Sequence, residues 1–203
     1  MLLRVIVMNT SLQKMVRSRR LTLMNVGKIF EQKFKESIPK DVAVIRLHDS
    51  ASGFGQDSRS TRFSMKSPFD FILFKTPCMY CLELKSTDKK SFSFEREKPT
   101  KENPTKREIH WHQIQALTEY NKYCNCICGF VLDFRNDGTY FLSIKDFNKF
   151  KEESTKVSIN IQDCIAYGAV QIDKKLKKKY YSYDVAKLLD KIGSDEIGKK
   201  NCI

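Results

Sequence analysis

The residues best placed to do chemistry sit on either side of a short turn. Pro68-Phe69-Asp70 opens one apolar run, and Glu83-Leu84-Lys85 closes another, with Lys75-Thr76-Pro77-Cys78-Met79 between them. Side chains two apart on a strand share a face, so Glu83 and Lys85 point one way while Leu82 and Leu84 point into the opposite layer. A hairpin turn centred between Thr76 and Pro77 sets Asp70 directly opposite Glu83, with their Cβ atoms about 4.5–5.5 Å apart. Two carboxylates held that close repel, and one tends to protonate unless a cation intervenes. A hard divalent ion such as Mg²⁺ binds one or two protein carboxylates and completes its shell with waters and phosphate oxygens. Asp70 and Glu83 are therefore the expected metal ligands. Lys85 would orient or deprotonate the attacking water, or neutralise charge on the phosphate, and the sequence leaves these roles open. Glu31, beside the apolar stripe of an earlier helix, is a plausible additional carboxylate, reaching the metal directly or through a water. The same triplet also occurs as the plain charged face of a half-exposed hairpin. What favours burial, and hence pairing or coordination, is the apolar character of both strands.

Several elements must position these groups. Residues 25–40 read as a helix with Asn25 as N-cap, Phe30, Phe34 and Ile38 at four-residue intervals, and Pro39 closing it. Val42–Leu47 reads as a strand, and residues 49–60 as a glycine- and serine-rich mobile loop. The two runs around Thr76 and Pro77 form a β-hairpin. Ser86–Glu108 reads as a polar, lysine-rich connector, and a helix follows with Ile114 and Leu117 inward. A second strand pair flanks Arg135-Asn136-Asp137-Gly138, a strong turn signal. Near the end come the basic run 174–181 and a short amphipathic helix, 185–193, stopped by Gly193. This order predicts an α/β domain with a mixed central sheet flanked by helices. The expected organisation is a basic N-terminal arm or leader over residues 1–24, a catalytic domain over 25–193 and a C-terminal tail over 194–203.

Composition narrows the partner. Of 203 residues, 41% are hydrophobic and 30% charged, which suits a globular chain, and 37 basic against 24 acidic residues give a net charge of +13. Such a balance favours a polyanion, although solubilising surface charge gives the same total. The acid-free opening suits a transit peptide, or a leader ahead of a start at Met24. No apolar run is long enough to span a membrane, and a cytoplasmic protein is expected. Cys78-x-x-Cys81 and Cys124-x-Cys126-x-Cys128 invite a zinc reading, but both lie in apolar, β-patterned runs where cysteine acts as a small buried hydrophobe. Reduced thiols without zinc are expected. The sequence contains no glycine-rich phosphate loop, which argues against a nucleotide cofactor. His48, His110 and His112, the three histidines, follow no nucleophile elbow.

Taken in order, Asn25-Val26-Gly27-Lys28-Ile29-Phe30-Glu31, Arg46-Leu47-His48-Asp49-Ser50, Thr61-Arg62-Phe63, Asp70-Phe71-Ile72, Leu82-Glu83-Leu84-Lys85-Ser86 and His112-Gln113-Ile114 resemble the successive blocks of RecU-type Holliday junction resolvases, in the short form frequent in phages and prophages. The resemblance implies a restriction-endonuclease-like PD-(D/E)xK fold and a homodimer with two active sites. It also implies dependence on Mg²⁺ or Mn²⁺ and paired symmetric nicks in a four-way DNA junction. By matching blocks, Glu31, Asp70, Glu83 and Lys85 are the implied catalytic set, with Gln113 in support. The segment of about 48–66 corresponds to the family's projecting stalk, shorter here and richer in glycine and serine. Candidate DNA contacts are Arg46, Arg59, Arg62 and Lys66, with Lys174, Lys175, Lys177, Lys178 and Lys179 of the basic run. The alternatives are a nuclease of the same fold acting on other branched or duplex DNA, or a catalytically silent DNA-binding module.

Overall fold

The computed structural model describes residues 26–47, 67–102, 104 and 106–198. The expectations for the leader, the Asn25 cap, the stalk with Arg59, Arg62 and Lys66, and the last residues of the tail lie outside them.

Helix α1 (Val26–Glu36) buries Phe30 and Phe34, one turn apart on one face, as their spacing requires. Each such side chain removed from water contributes about 1.5–3 kcal/mol. The chain then enters β1 (Ala43–Arg46), β2 (Phe71–Lys75) and β3 (Cys78–Ser86). The hairpin register pairs Phe71 with Leu82 through Lys75 with Cys78, which leaves Thr76 and Pro77 as the turn. Short β4 (Ser91–Ser93) and helix α2 (Trp111–Tyr120) lead to β5 (Cys126–Asp133), which runs parallel to β3, and then to antiparallel β6 (Thr139–Ser143). Helix α3 (Ile144–Glu153), β7 (Ser158–Asn160), helix α4 (Ile161–Ala166) and β8 (Val170–Gln171) follow. The hairpin β9 (Lys174–Lys177) and β10 (Tyr180–Tyr183) and helix α5 (Val185–Ile197) complete the described chain. The main sheet has the order β1-β2-β3-β5-β6-β8. It is mixed, and helices cover both faces, as expected.

The period of two divides the strands between two cores. Cys81, Cys126, Cys128, Phe130 and Leu142 join Ile114 and Leu117 of α2 and Phe147 and Phe150 of α3 on one face. Tyr80, Leu82, Leu84, Ile127 and Val131 join Phe30 and Phe34 of α1 and Leu188, Leu189 and Ile192 of α5 on the other.

Two expectations are corrected. The stretch between β3 and α2 is more than a polar connector. Phe92 and Phe94 are buried, β4 pairs with β7, and Phe94 bridges to Ile109. The alternation Ser91-Phe92-Ser93-Phe94 is a short period-two signal inside a lysine- and proline-rich stretch, and its anchoring comes from the pairing with β7. The last helix also does not stop at Gly193, but continues to Ile197. A Cβ on Gly193 would lie 2.6 Å from the Tyr80 hydroxyl, so this glycine is there for close packing.

Candidate active site

The β2–β3 ladder ends one pair short of Asp70 and Glu83. The Asp70 backbone N–H donates to the Leu82 carbonyl at 3.1 Å, while the Leu84 N–H donates to Asp70 Oδ2 at 2.8 Å. A carboxylate thus accepts a strand N–H, and β2 peels away where the site opens. Glu83, on the strand face opposite Leu82 and Leu84, is 3% exposed. Its Oε1 accepts from Lys85 Nζ at 2.9 Å and from Gln113 Nε2 at 2.5 Å. Gln113 is fixed in turn, because its Oε1 accepts the His110 N–H at 3.0 Å. One side chain therefore ties the start of α2 to the central acid. From the other face of the sheet α1 contributes Glu31, which is ion-paired with Arg46.

Glu31, Asp70, Glu83, Lys85 and Gln113 line a single polar cavity of about 310 Å³, together with Ser67, Phe69, Leu84, His110 and His112. His112 lies in the block that also carries Gln113, whereas His110, the N-cap of α2, carries no sequence signal for this site. Their rings stack, with centroids 5.5 Å apart and planes inclined by 14°.

Burial makes both central carboxylates reluctant to ionise. Asp70 is pushed up to about 6, chiefly by desolvation, against the Leu84 N–H that lowers it. Glu83 is pushed up to about 8, again chiefly by desolvation, with Asp70 raising it further and Lys85 opposing. Two hard oxygens that resist charge and share a polar cavity fit a divalent cation. The three carboxylates do not close into a tight trio. Among the described residues, the one group of three or more ligand-type side chains within 4.8 Å of each other is Cys81, Cys126 and Cys128.

Those three cysteines belong to the apolar core, with Sγ–Sγ distances of 3.8 Å (Cys81–Cys126) and 3.5 Å (Cys126–Cys128). Contact with Cys126 holds the Cys81 thiol up to about 12. Cys78 and Cys81 fall in opposite cores, so the Cys-x-x-Cys pair does not converge. Cys124 departs from the expectation of reduced thiols, being held in a disulfide.

The expected DNA contacts divide. Lys175, Lys177, Lys178 and Lys179 are exposed on the β9–β10 hairpin. Lys174 is instead drawn inward, its side chain 11% exposed and its Nζ 3.0 Å from Asp133 Oδ1. Arg46 is engaged by Glu31. Among the described residues no helix is long and apolar enough to cross a membrane.

No family model matches the chain. It is similar to the SPbeta prophage-derived uncharacterized protein YotM of Bacillus subtilis (strain 168), at 29% identity over 179 residues, covering 81% of this chain and 85% of that one. Among solved structures it is similar to Archaeoglobus fulgidus Hjc, a Holliday junction resolvase from an archaeal hyperthermophile. That likeness has 12% identity and a TM-score of 0.39, and covers 64% of this chain and 83% of the other.

Proposed function

We propose that this protein is a metal-dependent, structure-selective DNA endonuclease that resolves four-way junctions as a homodimer. The observation that carries the reading is the convergence of Asp70, Glu83 and Lys85 with Glu31 and Gln113 in one polar cavity, at the end of a mixed sheet. The ordered sequence blocks and the net charge of +13 support a DNA substrate. Asp70 and Glu83 would hold Mg²⁺ or Mn²⁺. When bound, the ion polarises the phosphoryl group and lowers the pKa of the attacking water. Gln113 fixes Glu83, and Lys85 stands beside the acid to meet the charge that grows on phosphorus-bound oxygen. The exposed lysines of the β9–β10 hairpin are suited to phosphate contacts.

Resolution needs two symmetric phosphates held at once, which an isologous dimer provides. Support comes from Ile45 and Phe74, which are 58% and 50% exposed. They lie with Ala43 and Ile72 on one sheet face, by the pairing of Ala43 with Phe74 and Ile45 with Ile72.

The test is cleavage of an immobile four-way junction in Mg²⁺, assayed beside a flap and a linear duplex. Asp70→Asn and Glu83→Gln should abolish cutting while junction binding stays intact or tightens, because negative charge near phosphate is removed. Cutting by either variant at the wild-type rate would rule out this cavity as the active site. Equal cutting of all three substrates would retain the nuclease and reject junction selectivity.

A further inference from the structure

We infer that His110, oriented by the buried carboxylate of Glu95, is the proton donor to the leaving oxygen; this rests on the nuclease reading of the same cavity. Glu95 is 4% exposed and clamped from two directions. Its backbone N–H donates to the Ile109 carbonyl at 3.0 Å, and its Oε2 accepts the Trp111 N–H at 2.7 Å. The other oxygen, Oε1, stands 3.3 Å from His110 Nδ1. With the Glu95 carboxylate as acceptor, the proton of this contact lies on Nδ1. The imidazole is thereby fixed with Nε2 as its remaining nitrogen, and the side chain lines the cavity that holds Asp70, Glu83 and Lys85. With Nδ1 held by Glu95, Nε2 is the ring nitrogen left to hand a proton to a group bound in the cavity.

The placement also suits the chemistry. In-line displacement puts the entering and leaving oxygens on opposite sides of phosphorus. Lys85 comes from β3 and His110 from the start of α2, so two different walls of the cavity offer groups to the two oxygens. In the step, a water oxygen forms the new bond to phosphorus and releases its proton to solvent. The electron pair of the breaking P–O bond goes to the leaving oxygen, which takes the proton from Nε2. The neutral imidazole is then reprotonated from solvent. His112, stacked on His110, limits its rotation, and Gln113 holds its backbone N–H. His110 is thus a catalytic residue and Glu95 a positioning one.

The test compares two four-way junctions at saturating protein in single-turnover conditions. One carries the natural phosphodiester, and the other has sulfur in place of the leaving bridging oxygen. A thiolate leaves without needing a proton. His110→Ala and His110→Gln should slow the oxygen substrate by about 100-fold or more, the usual contribution of a general acid. The sulfur substrate should be cut within about threefold of wild type, and the Kd for junction should not change. Glu95→Gln should give a smaller loss with the same rescue. In the metal-free protein, it should also move the His110 Nδ1 proton resonance upfield. If both substrates slow equally, or only Kd changes, His110 is a structural or phosphate-holding group and the assignment falls alone. If the wild-type chain cuts neither substrate, the nuclease reading falls and takes the assignment with it.

Discussion

Burial makes Glu83 hard to keep charged. It is buried, next to another acid, and satisfied on one oxygen by Lys85 and Gln113. Its folded value of about 8, and that of Asp70 near 6, both lie above their ordinary values. The folded state therefore binds more protons than the unfolded chain between about pH 4 and 8, and stability must fall as pH rises through that window. In EDTA, thermal or urea unfolding should show the protein gaining about 2 kcal/mol or more on going from pH 8 to pH 5, since each tenfold difference in proton affinity between the two states is worth about 1.4 kcal/mol. The pair titrates together, so the gain belongs to both acids. In the Asp70→Asn, Glu83→Gln double variant the slope should flatten, and saturating Mg²⁺ should flatten it in the wild type. A metal-free protein whose stability is level from pH 5 to pH 8 would contradict the burial argument. At this scale the sequence was legible where side chains lie close along the chain, as with Asp70, Glu83 and Lys85. It was silent on His110 and Glu95, whose meeting depends on the Phe94–Ile109 bridge.

Elements obey the same division between local and distant causes. The hairpin turn at Thr76 and Pro77 and the inward faces of α1 and α2 follow from local periodicity and turn chemistry. The reading of Gly193 as a helix stop failed because its cause lies far away in the chain. The Tyr80 hydroxyl, which donates to the Leu189 carbonyl at 3.1 Å, occupies the space a methyl group would need. Gly193→Ala should therefore destabilise by about 1–3 kcal/mol, the usual cost of overpacking, although alanine is the better helix former. In a Tyr80→Phe background the obstructing oxygen is gone, and the nearest ring carbon stands 3.8 Å from the new methyl. The same substitution should then be neutral or stabilising in denaturant titrations. An equal loss in both backgrounds would place the cause elsewhere. Lys174 follows the same logic. In the sequence it is one lysine of a run, yet its pairing with Asp133 makes it part of the fold while its neighbours remain on the surface.

For the whole molecule, the order of elements was enough to expect a mixed sheet between helices, but not to see which part of it would stay bare. Ile45 and Phe74 lie towards the β1 edge of the sheet and remain exposed. Burying such a patch against a second copy would help hold two cavities at a fixed separation. Ile45→Asp with Phe74→Asp should shift sedimentation equilibrium from dimer towards monomer and reduce paired nicking to single nicks, with the metal-free unfolding profile preserved. A dimer that survives the double change would move the interface to another surface. The central parallel pairing has a consequence for the cell that makes this protein. β3 joins β5, Met79 with Cys126 through Ser86 with Asp133, and the intervening chain supplies Gln113 and His110. Closing so long a loop must precede any reward from the contacts it brings. Glu83 therefore meets Gln113 only after the ribosome has released residues well beyond the acid itself. A chain still emerging, or cut short before β5, carries Asp70, Glu83 and Lys85 without the α2 wall that completes their cavity.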